Sequence, residues 1–293
     1  MKKVLLIISM LLGSYGFSQS LHPLEPSKNH YLELKKLNDG PNAERSSLDG
    51  IHFTPNEYKS LALSYILMTP VYLTHAQIIE LKKGTVFPAN SSDQTQAELE
   101  FLLDWQKKRT AAQVQRAAQF FAPIGYWPHI NVMKDHPGHE ANRQHVMFEG
   151  RTVLGEECTA ENYPKTFALL QGVTQDMRIM EFTVKYHLLR PRPYVLERKL
   201  KPLAIMGSPS YASGHTLWAY IQAFVWSELL PDKRKAFLDL AYEIGESREI
   251  MGIHYPSDQE AARVLAHEML SYMWSNPRFE TDFKAAQSEW RTR

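Results

Sequence analysis

Residues 216–230 read TLWAYIQAFVWSELL, and this stretch decides the fold class of the chain. Its apolar side chains cover most of the circumference of a helix rather than one stripe. A helix that is apolar on all sides belongs in the middle of a bundle. We therefore expect this segment to be the central helix of the domain. Its large apolar positions are Leu217, Trp218, Tyr220, Ile221, Phe224, Val225 and Leu229.

Helical periodicity continues on both sides of the central stretch. Residues 94–121 carry apolar side chains at spacings of three and four, which predicts one or two helices. Pro164 is expected in the first turn of a further helix. Pro191 and Pro193 should end that helix, because proline cannot donate to the helix ladder. Pro231 should open another helix. Strand-like alternation is nearly absent, so the sequence predicts an all-α fold, a helical bundle.

Three other segments set the boundaries of these helices. The residues at 257–260, Ser-Asp-Gln-Glu, have the spacing of a capping box that starts a helix. Residues 123–150 are rich in Pro, Gly and His and are predicted to form a loop. Residues 19–55 are rich in Pro, Asn, Ser and Lys and predict an irregular N-terminal arm. One helical domain is expected to occupy residues 56–293.

The bulk composition excludes several classes of protein. The chain has 293 residues, of which 44% are hydrophobic, enough for a substantial core. Its 33 Lys and Arg nearly balance 32 Asp and Glu, so the net charge of +1 gives no case for nucleic acid or an anionic membrane as partner. Cys158 is the only cysteine, so no internal disulfide can form, and a buried, inert thiol is expected.

The start of the chain has the features of an export signal. A basic start, an apolar stretch at 4–12 and small residues at 16–18 predict that residues 1–18 are a signal peptide, cleaved before Gln19. The stretch at 61–73 is too short and too interrupted to span a membrane. We therefore expect an exported, soluble bacterial protein in the periplasm or the medium, without membrane association after cleavage.

Three short stretches carry the candidate chemistry. Singly, each has an ordinary interpretation, such as a lysine at a helix end or a serine that caps a helix. Together they supply the cations and backbone donors that a phosphate group requires. The stretches are Lys185 followed after six residues by Arg192-Pro193, then Ser213-Gly214-His215, then Ser247-Arg248 followed after five residues by His254 and after three more by Asp258.

The cations and the helix start are expected to bind the phosphoryl group. Lys185, Arg192 and Arg248 would supply positive charge, and arginine forks match phosphate oxygens well. Ser213 and Gly214 stand where the central helix begins, so their backbone N–H groups are expected to add an anion hole.

The remaining residues divide the chemical work. Asp258 is expected to hold one ring nitrogen of His254 as N–H, which leaves the other free to attack phosphorus. His215 would protonate the leaving alkoxide and later deprotonate water. One histidine must be neutral and the other charged, which predicts a bell-shaped pH–rate profile centred on the acid side of neutral.

These stretches resemble the signature K-x6-RP, PSGH, SR-x5-H-x3-D. It is shared by bacterial class A non-specific acid phosphatases, type 2 phosphatidic acid phosphatases and vanadium-dependent haloperoxidases. The chain departs from it at Ala212, where the family usually has proline. The resemblance covers roughly the C-terminal two-thirds of the chain, is greatest to the class A acid phosphatases, and does not extend to residues 19–95. It implies that His254 becomes phosphorylated, that Asp258 supports it, that His215 is the acid, and that no metal is needed.

The resulting expectation is an exported acid phosphatase of broad specificity that hydrolyses small phosphate monoesters. Vanadate is expected to act as an inhibitor, and no cofactor is required. The first alternative is a vanadium haloperoxidase, in which vanadate is the cofactor and His254 its ligand. A phosphotransferase that uses the same site, or a catalytically silent anion-binding protein, are further alternatives. The physiological substrate and the oligomeric state stay open.

A second group of polar residues lies outside these motifs. It is either a divalent-metal site or a polar loop near the mouth of the active site. Because the spacing fits no metal motif, the polar loop is favoured. The group comprises His129, His136, His139, Glu140 and His145. Three cations, Arg190, Lys134 and Arg143, are candidates for accessory contacts: Arg190 has either an accessory or a structural role, and the other two are candidates for contact with the leaving group.

Overall fold

The computed structural model describes residues 21–27, 30–124 and 138–291. Within these ranges the regular structure is helical and contains no strand, so the predicted all-α class is confirmed. The elements are α1 Tyr31–Leu34, a 3-10 helix Ala43–Leu48, α2 Tyr58–Ile66, α3 His75–Lys83, α4 Asp93–Lys108, α5 Ala111–Gln115, a π-helical turn Arg116–Phe121, α6 His139–Val146, α7 Phe148–Leu154, α8 Pro164–Leu188, α9 Pro193–Leu196, α10 Gly214–Leu229, a 3-10 turn Pro231–Lys233, α11 Arg234–Ile250, α12 Pro256–Trp274 and α13 Pro277–Arg291.

Helix α10 lies at the centre of the bundle, as its apolar composition predicts. Every one of its residues is buried, and it packs against α8, α11 and α12. Fully buried side chains such as Leu217 and Ile221 each contribute about 1.5–3 kcal/mol of hydrophobic stabilisation. The first residues of α10 are therefore held rigidly, which matters because they border the candidate site.

Helix α8 packs against α10 and carries Lys185, the first motif residue, in its last turn. Pro164 stands in its first turn, as predicted, and the helix ends at Leu188 ahead of Pro191 and Pro193. The buried carboxylate of Asp176 accepts hydrogen bonds of 2.6–2.8 Å from the backbone N–H groups of residues 71–73. These bonds fix α8 to the segment that precedes α3.

The remaining helix predictions are correct in outline. Residues 94–121 form α4 and α5, followed by the π-helical turn. Pro231 opens a 3-10 turn, and α11 itself begins at Arg234.

The predicted capping box at 257–260 is wrong. Helix α12 begins two residues earlier than that box would place it, with Pro256 at its first position and Tyr255 as the residue before it. Proline is favoured at the first helical position because its φ angle is already helical and it has no N–H that needs a partner. The helix therefore starts at Pro256, closer to the N-terminus than predicted. Ser257 then lies inside the first turn, where its hydroxyl donates to Glu98 at 2.9 Å. Glu260 instead forms an ion pair with Arg263.

The loop predicted for 123–150 is also wrong over its second half, because residues 139–154 form α6 and α7. The glycine in this region reflects packing rather than a turn. Gly150 is buried inside α7, and a Cβ there would come within 2.6 Å of both Cys158 Sγ and the Trp226 ring. Cys158 itself is buried, as expected, and burial raises the pKa of its thiol to about 12.

The N-terminal part of the described chain contains little regular structure apart from α1 and the 3-10 helix Ala43–Leu48. It is nevertheless tied to the bundle, since the His22 backbone N–H donates to the buried Glu228 at 3.0 Å. The predicted signal peptide, 1–18, lies outside the described residues. Among the helices that the structure describes, none has the length and apolar character needed to cross a membrane.

Candidate active site

A cavity of about 200 Å³ opens beside the first turn of α10. The last turns of α8, the segment at 205–208 and the turn between α11 and α12 form its other walls. Five of the motif residues line this cavity together: Lys185, Arg192, Gly214, His215 and His254. The three stretches, far apart in sequence, therefore meet at one place.

The ring of His254 is fixed by Asp258. His254 Nδ1 lies 2.9 Å from Asp258 Oδ2. Since a carboxylate accepts only, the proton is on Nδ1 and the lone pair on Nε2. Arg192 Nη1 lies 2.8 Å from this Nε2, a contact in which the guanidinium donates. Burial, with the Arg192 charge next, lowers the pKa of His254 well below its usual value. The imidazole is thus neutral, which is the nucleophilic form.

Asp258 is in turn held by a network of buried donors. Its carboxylate accepts from Ser210 Oγ at 2.5 Å, from the Tyr255 backbone N–H at 3.1 Å and from Arg190 at 2.7 Å. Burial alone would raise its pKa, but the Arg190 charge and the His254 hydrogen bond hold the pKa of Asp258 below the usual aspartate range. Asp258 is therefore an anion that keeps the His254 tautomer.

Arg190 belongs to this network and does not line the cavity. It is fully buried, its Nη2 lies 3.3 Å from Glu98 Oε2, and its guanidinium stacks on the Tyr255 ring at 3.8 Å. Glu98 also accepts from the Ser257 backbone N–H at 2.8 Å. Of the two roles considered from sequence, the geometry favours the structural one, in which Arg190 positions Asp258.

Lys185 and Arg192 are the buried cations of the cavity. Lys185 Nζ donates to the carbonyl oxygens of Pro209 and Ser210 at 2.9 and 3.2 Å. Burial, followed by repulsion from Arg192, lowers the pKa of Lys185 to about 7. Arg192 donates through Nε to the Ser208 carbonyl at 2.9 Å. Both cations are oriented by backbone carbonyls before any anion arrives.

The start of α10 offers fewer backbone N–H donors for an anion than the sequence suggested. The backbone N–H of Ser213 donates to the Asp258 carbonyl at 3.1 Å, so the expected anion-hole role of that N–H is not available in this structure. The Ser213 hydroxyl caps the helix by accepting from Thr216 N at 3.4 Å. Gly214 and His215 are the residues of this turn that reach the cavity.

His215 faces His254 across the cavity and is held differently. Its Nε2 lies 2.9 Å from the Ala122 carbonyl oxygen, so Nε2 carries the proton in this state. Burial, with the Arg248 charge next, lowers the pKa of His215 well below its usual value. Both histidines are therefore neutral without a bound anion. Arg248 is fully buried in the last turn of α11 and acts on His215 through its charge, although it is not among the residues that line the cavity.

The cavity also contains two charged residues that the sequence analysis did not single out. Arg178 lines it two turns before Lys185 on α8, and Glu181 lines it one turn before Lys185. Arg178 Nη1 donates to Glu181 Oε2 at 2.6 Å. A sequence signal existed, because a spacing of four places Glu181 on the same helix face as Lys185. By contrast, only the tertiary fold brings Ser210 to Asp258 and Glu98 to Arg190.

The described members of the His-rich group are not among the residues that line the cavity. Arg143 forms ion pairs with Glu140 and Glu161 and lines a separate cavity, so it is not in position to contact a leaving group. Burial lowers the pKa of His145 to about 4. In the described ranges, His139 and its neighbours form no cluster that could hold a metal ion. His129, Lys134 and His136 lie outside the described residues.

Comparison with known proteins identifies the region that carries the site. Residues 166–281 match the PAP2 superfamily. Every motif residue from Lys185 to Asp258 falls inside this range, whereas Glu98 lies before it.

Several relatives of known name are bacterial acid phosphatases. A non-specific acid phosphatase of Providencia stuartii is 31% identical over 144 residues, which are 46% of this chain and 57% of the relative. One from Salmonella typhimurium is 27% identical over 143 residues, 47% of this chain and 57% of the relative. An acid phosphatase of Zymomonas mobilis is 30% identical over 98 residues, 33% of this chain and 36% of the relative. The chain thus spans little more than half the length of the first two.

Two solved structures are similar at low identity. A bacterial vanadium-dependent iodoperoxidase has a TM-score of 0.46 and 16% identity, with coverage of 66% of this chain and 51% of that one. A transmembrane PAP2-type phosphatidylglycerolphosphate phosphatase from Bacillus subtilis has a TM-score of 0.38 and 18% identity, with coverage of 74% and 92%.

Proposed function

We propose that the chain is an acid phosphatase that hydrolyses phosphate monoesters through a phosphohistidine on His254. The observation that carries this proposal is the orientation of the His254 ring. Asp258 holds Nδ1 as N–H, and Nε2 therefore presents its lone pair beside Lys185 and Arg192. A neutral imidazole of fixed tautomer next to two buried cations is the arrangement that nucleophilic attack on a phosphoryl group needs.

Binding of the substrate would exchange internal contacts for contacts with phosphate. The Arg192 guanidinium, now on His254 Nε2, would move onto a phosphoryl oxygen and so free the nucleophile. Lys185 would take up a proton where it is neutral, since a nearby anion favours the charged ammonium. Gly214 and His215 stand at the start of α10, where backbone N–H groups lack helical partners and can donate to the remaining oxygens.

The chemical steps then follow in order. His254 Nε2 forms a bond to phosphorus as the bond from phosphorus to the leaving oxygen breaks. His215, whose pKa the bound phosphate raises, gives its proton to that oxygen and becomes neutral. It next accepts a proton from water as the water oxygen attacks the phosphohistidine. The P–N bond breaks, inorganic phosphate is released and His254 is regenerated.

The wider features of the proposal follow the sequence expectations. Activity should need no added metal, because the proposed nucleophile is His254 and the proposed charge comes from Lys185 and Arg192. It should extend to many leaving groups and be inhibited by vanadate, because these residues are proposed to bind the phosphoryl group. Export is proposed from residues 1–18, and sequencing of the mature N-terminus should start at Gln19. An unprocessed N-terminus would refute that cleavage.

Turnover of p-nitrophenyl phosphate tests the proposal. We expect hydrolysis at acid pH that persists in EDTA, is blocked by vanadate and is lost in His254→Ala. The matched control is His52→Ala, a histidine of the N-terminal segment. No turnover at any pH from folded protein would refute the proposal. A vanadate-loaded sample should then be assayed with halide and peroxide, and added alcohol acceptors separate a phosphotransferase from a hydrolase.

A further inference from the structure

Arg178 and Glu181 form an ion pair inside the candidate active site that the proposed mechanism does not use. Their side chains are only 6% and 7% exposed, and both line the cavity with Lys185 and His254. A buried ion pair costs desolvation and adds little net stability, so its place in a cavity for anions calls for an explanation.

The Glu181 carboxylate lies against the first residue of α10. A Cβ built on Gly214 would overlap Glu181 Oε1 and come within 2.5 Å of Glu181 Cδ. The glycine therefore allows this carboxylate to approach the turn that would bind a phosphoryl oxygen. Arg178 holds the opposite carboxylate oxygen and prevents the side chain from turning away.

A carboxylate at this position distinguishes between two charge states of phosphate. A fully ionised phosphate presents only acceptor oxygens, which repel the carboxylate oxygens. A singly protonated phosphate presents one P–OH, which can donate a short, charge-assisted hydrogen bond to the carboxylate. Because a phosphomonoester loses its second proton near pH of about 6, the protonated form predominates on the acid side.

We propose that Glu181 is a specificity-determining residue that selects the singly protonated phosphoryl group by accepting its proton in a hydrogen bond, with Arg178 as its positioning partner. This inference rests on the proposed function. It makes the preference for acid conditions a property of substrate binding in addition to histidine titration.

The other charged and titratable groups around the cavity are cations or rings that carry no negative charge. Glu181 is therefore the carboxylate among the residues that line the cavity. The groups are Arg178 and Lys185 of α8, Tyr58 and Tyr65 of α2, Arg192, His215 of α10, Arg248 of α11 and His254.

Competition between phosphate and sulfate tests this selection directly. Sulfate has the same tetrahedral shape but carries no proton at the pH of the assay. We expect calorimetry at pH 5 to show phosphate binding at least roughly tenfold tighter than sulfate, the ratio that about 1.4 kcal/mol provides. In Glu181→Gln the ratio should fall close to one, because the amide can donate to either anion. The decline of kcat/KM above pH 6 should also move to higher pH.

The control variant is Glu80→Gln, which breaks an exposed pair of the same spacing with Lys83 and should behave as the wild type. If Glu181→Gln does not fold, Arg178→Gln/Glu181→Gln removes both charges and should give the same change in the ratio. If folded Glu181→Gln keeps the wild-type ratio of phosphate to sulfate affinity and the wild-type pH profile, the inference is overturned. Turnover by the wild type would still support the proposed function. Absence of wild-type turnover would count against the proposed function, and the binding ratio would still decide the role of Glu181.

Discussion

The two histidines of the cavity are held in contrasting ways. His254 is hydrogen bonded to Asp258, which is itself bound by Arg190 and Ser210. His215 places Nε2 on the backbone carbonyl of Ala122. The nucleophile side is thus arranged before an anion binds, with its tautomer fixed. The acid side must first gain a proton, and that change depends on the negative charge of the substrate.

The largest effect is expected on the nucleophile side, from Asp258→Asn. The amide can donate as well as accept, so it no longer dictates the tautomer, and it removes the nearer of the two buried carboxylates that face Arg190. We expect kcat to fall roughly 10⁴-fold, as when a histidine-orienting aspartate is replaced in a triad. Steady-state kinetics with Asp104→Asn, an exposed position, as control provide the measurement. A folded variant that keeps a tenth of the activity would show that Asp258 is not needed to orient His254.

Replacement of the acid should give a smaller effect that depends on the leaving group. His215→Ala should lower kcat roughly 10²–10³-fold for alkyl phosphates, within the range for general acid catalysis. The loss should be much less with p-nitrophenyl phosphate, whose leaving oxygen needs little protonation. The measurement is the slope of log kcat against leaving-group pKa. Equal losses with both substrate types would show that His215 is not the acid.

A third prediction concerns Lys185, which lines the cavity together with both histidines. Since burial lowers the pKa of Lys185 to about 7, the unfolded chain holds its proton up to much higher pH than the folded chain does. The unfolded state therefore binds more protons, and stability rises with pH across this window. Between pH 7 and 9 the wild type should gain about 2 kcal/mol over Lys185→Met, measured by urea unfolding in phosphate-free buffer. An unchanged difference between the two proteins would contradict a buried neutral lysine.

The smallest effect is expected one step further from the cavity. Glu98→Gln keeps an oxygen for the Ser257 N–H but removes the charge that faces Arg190. A charge-assisted hydrogen bond contributes about 1.5 kcal/mol, so kcat should fall roughly tenfold. Glu100→Gln, on the exposed face of α4, is the control. A loss as large as that of Asp258→Asn would mean that Glu98 does more than position Arg190.

Much of the fold was predictable because it follows from local patterns. The mostly apolar circumference of 216–230 predicted a buried central helix, and prolines marked both ends of α8. The errors came from residues with two uses. Gly150 is required for close packing inside a helix, but a glycine in the sequence also predicts a loop. The spacing of 257–260 predicted Ser257 as the helix cap, but α12 begins at Pro256.

The site was predictable where residue types at fixed spacing carried it, and not where the tertiary fold did. Lys185, Arg192, Gly214, His215 and His254 line one cavity. Two carboxylates near them, Glu98 and Glu181, were missed, because an acidic residue in a helix is normally assigned to the solvent-exposed face. Glu98 lay on the buried face of α4, and Glu181 on the face of Lys185. A carboxylate at an apolar position of a helix was the available signal.

The measurement that tests the central claim most directly is the capture of the phosphoenzyme. Brief reaction with radiolabelled substrate, alkaline quenching and peptide mapping should place an acid-labile, alkali-stable phosphate on the peptide that contains His254. The label should be absent in His254→Ala and should accumulate in His215→Ala, where hydrolysis of the intermediate is slowed. Turnover without a trapped phosphohistidine, or label on another residue, would contradict the account.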